Sequence, residues 1–238
     1  MALMTGGMAT IAGGVLAAYV AFGISAGHLL TASVMSAPAA LLIAKVMLPE
    51  TEKSETIAGA SAKVPRETIN GLDALCRGAS DGVMLAINVM AMLIAFVAVV
   101  ALANYLLGLG LRPFGILTQA PLQTVFGWLN APFAWLMGIP KADCFTVGQI
   151  LGERIVLNEF IGYLSLAKAT NTLDPRSYTL ATYALCGFAN FSSIAIQIGG
   201  IGSLVPARRN DLAKLGLRAM IAGLLACYIT ATIAGILI

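Results

Sequence analysis

Five stretches of this chain run for twenty residues or more without an aspartate, glutamate, lysine or arginine: residues 1–44, 83–111, 113–140, 177–207 and 219–238. A helix needs about 20 consecutive apolar residues to cross the hydrocarbon of a bilayer, so each run has the length of a span. The composition agrees, with 59% hydrophobic and 11% charged residues and a mean hydropathy of +0.89. These values lie outside the range of soluble globular domains. The sequence therefore predicts an all-α integral membrane protein with about five transmembrane helices and membrane lipid as its surroundings. The basic residues are dispersed and the net charge is only +3, which argues against nucleic acid as a partner. Cys76, Cys144, Cys186 and Cys227 form no CxxC pair and suggest neither a disulfide framework nor a metal site. Met1 leads directly into Gly-rich apolar sequence without a basic leader, so no secretory signal is expected.

The runs differ in regularity. Residues 1–48 read as one interrupted transmembrane helix, and 49–82, which holds most of the acidic charge, as an aqueous loop with an interfacial helix. Residues 83–140 are expected to supply two transmembrane helices, with Gly108, Gly110, Pro113 and Pro121 breaking the chain between them. Residues 141–168 are apolar enough to enter a bilayer but carry Asp143, Glu153, Arg154 and Glu159. Each half beside Leu157 and Asn158 is too short to span, which predicts a re-entrant helical hairpin with its tip near Asn158 and Glu159. Residues 177–238 read as a second interrupted transmembrane helix, broken near residues 190–193, and a terminal one. The second interrupted helix should close at Gly202 and Pro206. Asn210 or Asp211 should cap the last helix, along which Gly216, Ala219, Gly223 and Ala226 offer a small-residue face for close packing. The loop bearing Arg208, Arg209 and Lys214 is the expected cytoplasmic side.

The polar groups inside these runs need protein, water or a ligand beside them. Glu159 at the hairpin tip can accept hydrogen bonds from two vicinal hydroxyls, as on a ribose; equally it can pair with Arg154 or cap the second hairpin helix. Asn190 and Ser193, three residues apart, suit a hydroxyl-rich neutral ligand or hydrogen bonds between helices. Phe188 can stack on a ring or pack in the bundle. Residues 5–15 hold four glycines and two threonines, enough to let a helix unwind locally and offer carbonyl and hydroxyl oxygens to a cation such as Na⁺, or to let helices pack closely. His28 reads as interfacial, Ser36-Ala37-Pro38 as a kink, and Gln197 as facing the region of Ser193. An enzyme using Glu159 as a base is disfavoured, since no nucleophile or metal-ligand set accompanies it.

Four strings, at residues 4–13, 157–160, 186–202 and 208–214, closely resemble the concentrative nucleoside transporters, and the likeness runs in order along essentially the whole chain. The resemblance implies cation-coupled nucleoside uptake across a bacterial inner membrane by an elevator-like movement of a transport domain against a trimeric scaffold. Na⁺ is the expected coupling ion, with H⁺ open. By matching position, Glu159, Asn190 and Ser193 would bind the ribose, with Asn158 beside them. Val15 and Phe188 would border the nucleobase, and Thr10 and Ile11 would be Na⁺ ligands through hydroxyl and carbonyl oxygens. The family's further N-terminal helices and first re-entrant hairpin have no match here, and Met1 falls within what would be the fourth span. The chain is thus expected to be the C-terminal portion of a transporter fold. A non-transporting membrane fragment and a carrier of another polar solute are the alternatives.

Overall fold

A computed structural model describes residues 1–51, 68–114 and 121–238, and the regular structure in them is helical. The first apolar run forms α1 (Ala2–Ala9) and α2 (Gly13–Ala21), separated by an extended break in which Thr10 has φ −110°, ψ 163°. A turn through Gly23, whose φ of +89° favours glycine, leads into α3 (Ala26–Met47). Residues 1–48 therefore hold two span-length segments, Ala2–Ala21 and Ala26–Met47, where the sequence suggested one. The uncharged run gave no sign of the reversal, which depends on a single left-handed glycine. Pro38 lies inside α3.

The interfacial helix and the span after it also differ from expectation. Helix α4 (Gly71–Leu111) is one continuous rod of 41 residues, about 60 Å long at 1.5 Å per residue, so the charged turns and the apolar ones share an axis. Asn70 caps it, its side chain accepting from Asp73 N. The 52–67 part of the expected loop, and residues 115–120 of the expected connection, lie outside the described residues. From the 113–140 run the structure forms α5 (Pro121–Leu136), 16 residues long and shorter than a perpendicular span requires. It pairs closely with α6 (Lys141–Val156) across three glycines. A Cβ on Gly148 would lie 2.6 Å from Gly127 O, and one on Gly152 would lie 2.8 Å from Gly127 N, so the helices meet backbone to backbone.

Helix α6 ends at Leu157, and α7 (Glu159–Lys168) turns back along it. A Cβ on Gly162 would sit 3.5 Å from both Ile150 O and Arg154 Cβ. This is the helical hairpin expected over 141–168. The second broken helix comprises α8 (Pro175–Leu185) and α9 (Phe191–Leu204). Its break spans residues 186–190, earlier than the 190–193 expected, because Asn190 caps α9 and draws Ser192 and Ser193 into its first turn. Helix α9 ends at Leu204, ahead of Pro206. Helix α10 (Arg209–Leu237) starts without a side-chain cap. Asn210 and Asp211 already lie within it, and Asp211 pairs with Arg208 at 2.6 Å.

Helix α10 is the axis of the fold, packed by α1, α3, α8 and α9. The small residues foreseen on it are buried: a Cβ on Gly223 would touch Met8 Cβ at 3.0 Å and Ala189 Cβ at 3.2 Å. At one end Arg176 of α8 donates to Gly235 O of α10, to Ile238 O just past its end and to Gly138 O of the α5–α6 turn.

The backbone contact between α5 and α6 should make Gly148→Ala destabilising by about 1–3 kcal/mol. Gly199→Ala, where an added Cβ meets nothing within 4 Å, should be neutral or stabilising by up to about 1 kcal/mol. Thermal unfolding of the two variants in detergent measures the difference.

Candidate functional site

The two helix breaks cross in the centre of the fold. Gly187, at φ +135°, lies so close to the end of α1 that a Cβ there would be 2.7 Å from Met8 O and 2.9 Å from Ala9 C and O. Only glycine tolerates both the dihedral and the approach. Beneath the crossing, the Cys227 thiol of α10 donates to Cys186 O at 2.8 Å and has Ala9 O at 3.7 Å. Carbonyls at the C-terminal ends of α1 and α8 thus face a donor instead of apolar surface.

The hairpin reaches the same crossing through Arg154, which is fully buried. Its Nη1 donates to Ala184 O and its Nη2 to Cys227 Sγ at 3.3 Å. A guanidinium at the C-terminal end of α8 meets the negative pole of that helix. Arg154 is therefore a tie between α6, α8 and α10, and it turns to these groups instead of closing an ion pair with Glu159.

Above this tie, the hairpin tip presents Glu159, buried to 6% exposure. Asn158 caps α7, accepting from Ile161 N at 3.0 Å, which leaves Glu159 in the first turn with its carboxylate free to point inward. Tyr19 of α2 donates its hydroxyl to Glu159 Oε1 at 3.2 Å, and Asn190 donates Nδ2 to Oε2 at 2.9 Å. Asn190 in turn accepts on Oδ1 from Ser192 Oγ (2.7 Å), Ser193 N (2.8 Å) and Ser193 Oγ (2.9 Å). The three acceptances fix the amide's orientation, so its donor end faces the carboxylate. Glu159 thereby lies near the N-terminal ends of two half-helices, α7 and α9, where the unpaired backbone N–H groups carry partial positive charge.

Ser193 and Phe188 also line a cleft of about 250 Å³ with Gly7, Ile196 and Gln197. Of the residues singled out from the sequence, Glu159, Asn190 and Ser193 share one network, and Phe188 and Ser193 share one cleft. Val15, Thr10 and Ile11 do not line that cleft. Val15 and Ile11 are half-buried against the core around Tyr19, Ile11 N donates to Ser33 Oγ at 3.5 Å, and the Thr10 hydroxyl donates to Gly6 O at 2.9 Å. The carbonyls of Thr10 and Ile11 nonetheless fall in the extended break, outside either helix. Sequence reasoning passed over Tyr19 and assigned Gln197 no role; it considered Arg154 only as a partner for Glu159. A phenol within the otherwise apolar α2 was the available signal for Tyr19.

Comparison with known proteins fits this arrangement. A family model described as Na⁺ dependent nucleoside transporter C-terminus matches residues 28–235. The uncharacterized transporter YutK of Bacillus subtilis is 42% identical over 99% of this chain and 58% of its own length. Solute carrier family 28 member 3 of mouse is 43% identical over 99% of this chain and 36% of its own. Among solved structures, a variant of CNTnw in the intermediate 2 state has a TM-score of 0.87 at 39% identity, covering all of this chain and 58% of that one. CNTnw in an inward-facing substrate-bound state scores 0.78 at 40% identity, covering 98% and 55%. The chain belongs to the Na⁺ dependent nucleoside transporter family, and it spans little more than half the length of YutK and CNTnw.

Because Arg154 is the donor to a buried carbonyl and a buried thiol, Arg154→Ala should cost about 2–5 kcal/mol through the cavity and the unpaired acceptors. A melting temperature in detergent within 1–2 °C of the parent, on the order of the effect of a neutral surface change, would contradict the tie described above.

Proposed function

With family membership as the premise, we propose that this chain carries the sugar-binding half of a cation-coupled nucleoside symporter of a bacterial inner membrane. The observation that supports it best is the convergence of Tyr19 and Asn190 on opposite oxygens of buried Glu159. An ionised carboxylate offers about four acceptor positions. One on each oxygen is taken by a side-chain donor, and the other on each oxygen is left to two further donors. A pair of vicinal hydroxyls supplies two donors at that spacing, and the adjoining amide and hydroxyl of Asn190 and Ser193 can exchange hydrogen bonds with the same sugar.

In this reading Asn158, whose oxygen caps α7, contributes its amide N–H groups beside Glu159. Phe188 lies against the face of the base, and Val15 borders the base from α2. The extended backbone at Thr10 and Ile11 offers carbonyl oxygens to the transported Na⁺, with the Thr10 hydroxyl exchanging its bond to Gly6 O for the ion. A proton could couple through the same pathway, and a sodium gradient tests this directly. The hairpin α6–α7 acts as a re-entrant gate: Glu159 leaves the network when the tip moves, so substrate release and loss of the carboxylate contact are one event. The whole protein would work as a trimer, with the transport domain moving as an elevator. The exposed apolar residues along α4, among them Ile94, Leu102 and Leu106, fit a helix that faces lipid or another subunit.

Uridine uptake into proteoliposomes should rise with an inward sodium gradient and fall to background when an ionophore collapses it. Glu159→Gln replaces an acceptor oxygen with a donor and should lower uridine uptake by about 10–100-fold, the equivalent of one or two lost charge-assisted hydrogen bonds. Its fold should be retained. Wild-type uptake by a well-folded Glu159→Gln protein would remove the carboxylate from the reading.

A further inference from the structure

One ridge of α10 is left open to the surroundings of the protein. Leu217, Ile221, Leu225, Ile229 and Ile233 recur every four residues and so lie on one side of the helix; Leu217, Ile221 and Ile233 are exposed, and Leu225 and Ile229 half-buried. Beside the N-terminal end of this ridge stand Lys214 and Arg218, one turn apart and both exposed. From residue 219 to 237 the helix has no charged side chain, a length of about 29 Å at 1.5 Å per residue, which matches the ~30 Å thickness of a hydrocarbon core. Arg218 therefore falls at the boundary between hydrocarbon and headgroups, with Lys214 one turn further out. The nearest carboxylate along the helix, Asp211, is held by Arg208 at 2.6 Å. Helix α3 runs antiparallel to α10, with Ser36 Oγ 3.3 Å from Thr230 Oγ1 and Ala39 and Ala40 clustered with Ala226 and Cys227. That brings Glu50 to the same end, where Lys45 holds it at 3.0 Å. Among the described residues Lys214 and Arg218 make no ion pair.

We propose that this ridge is a binding site for an anionic phospholipid, with the phosphodiester held between Lys214 and Arg218 and an acyl chain lying along Leu217, Ile221 and Leu225. Charge complementarity selects the headgroup. The unesterified oxygens of a phosphodiester accept from an ammonium and, two at a time, from a guanidinium. A zwitterionic headgroup brings its own cation against Lys214 or Arg218 and gains less. The apolar ridge selects the rest of the molecule, because it starts at the depth of the phosphate and continues into the hydrocarbon, as an acyl chain does. A soluble anion or an acidic peptide would use the two cations and leave the ridge uncovered. Since α1, α3, α8 and α9 all pack on α10, a lipid bound to the folded helix stabilises the whole bundle. None of this depends on what the Glu159 network carries.

The test is native mass spectrometry of the chain released from micelles that contain equal amounts of phosphatidylglycerol and phosphatidylcholine, with melting temperatures measured in each lipid. The parent should retain phosphatidylglycerol over phosphatidylcholine by about tenfold or more. Phosphatidylglycerol should also raise the melting temperature where phosphatidylcholine does not. Lys214→Gln and Arg218→Gln should each lower the preference about fivefold. The double variant should lose both the preference and the added stability, while melting as the parent does in detergent alone. Lys45→Gln, which removes a cation already paired at the same end, should leave the preference within about twofold of the parent's. Leu217→Ser should weaken retention of both lipids together. Equal retention of the two lipids by the parent, or a preference unchanged in the double variant, overturns the proposal. So does equal stabilisation by inorganic phosphate without lipid, which would make the pair a site for a soluble anion. Loss of self-association in the double variant with its lipid preference intact overturns it as well, since the ridge would then be a contact between copies.

Discussion

The rest of the fold depends on one constraint: two helices are broken at the same depth and must be packed together without stranding their backbone polar groups. Each break frees carbonyls at the end of one half-helix and amides at the start of the next. Gly187 allows the breaks to touch, and the ends are then satisfied from three directions. Cys227 serves the carbonyl of Cys186, Arg154 serves that of Ala184, and Asn190 caps the start of α9. Helix α10 can supply Cys227 at that point only because its own face there is small, with Gly223 under Met8 and Ala189.

This arrangement also accounts for a fully buried arginine, which would otherwise be costly. A guanidinium removed from water is tolerated when its donors find acceptors and a complementary field. The C-terminal end of α8 provides the field and an acceptor for Nη1, and Cys227 of α10 accepts from Nη2, while Nε is buried without a partner. The hairpin is consequently held in two different ways. Its α6 side is tied to α8 and α10 by Arg154, while its tip touches the broken helices through the Glu159 bonds to Tyr19 and Asn190. Breaking the tip contacts exposes groups that water or a sugar can satisfy; breaking the Arg154 tie exposes buried acceptors. Movement at the tip is the cheaper of the two, which is consistent with the gating role proposed for the hairpin.

Much of this was legible in the sequence because the membrane environment makes polar residues informative. Glu159, Asn190 and Ser193 stood out as polar groups in apolar runs, and the structure joins them in one network. The glycines of the first segment and the short halves of the hairpin likewise marked the breaks in α1–α2 and α6–α7. Errors came where the signal was uniform. The reversal at Gly23 lies within an uncharged run, so one interrupted span was read where two span-length segments lie. The join at residues 71–83 lies within a single helix, although its composition changes from charged to apolar. Contacts between distant segments were not readable at all: Tyr19 and Glu159 are 140 residues apart, and nothing local to α2 announces that its phenol meets a carboxylate. The break in α8–α9 was misplaced for a similar reason, since an asparagine that caps and one that lines a broken backbone look the same in one dimension.

Asn190, Ser193 and Gln197 lie at steps of three and four along one stripe, from the cap of α9 through its second turn. Polar groups of the Glu159 network and of the cleft therefore ride on a single rigid element, and their separation is fixed by helix geometry. The Glu159–Asn190 hydrogen bond joins that element to the hairpin tip. A displacement of the tip would change the carboxylate's distance from Asn190 while leaving Ser193 and Gln197 in register with each other. The carboxylate contact and the register of Ser193 with Gln197 are then controlled by different elements, so one can change while the other holds.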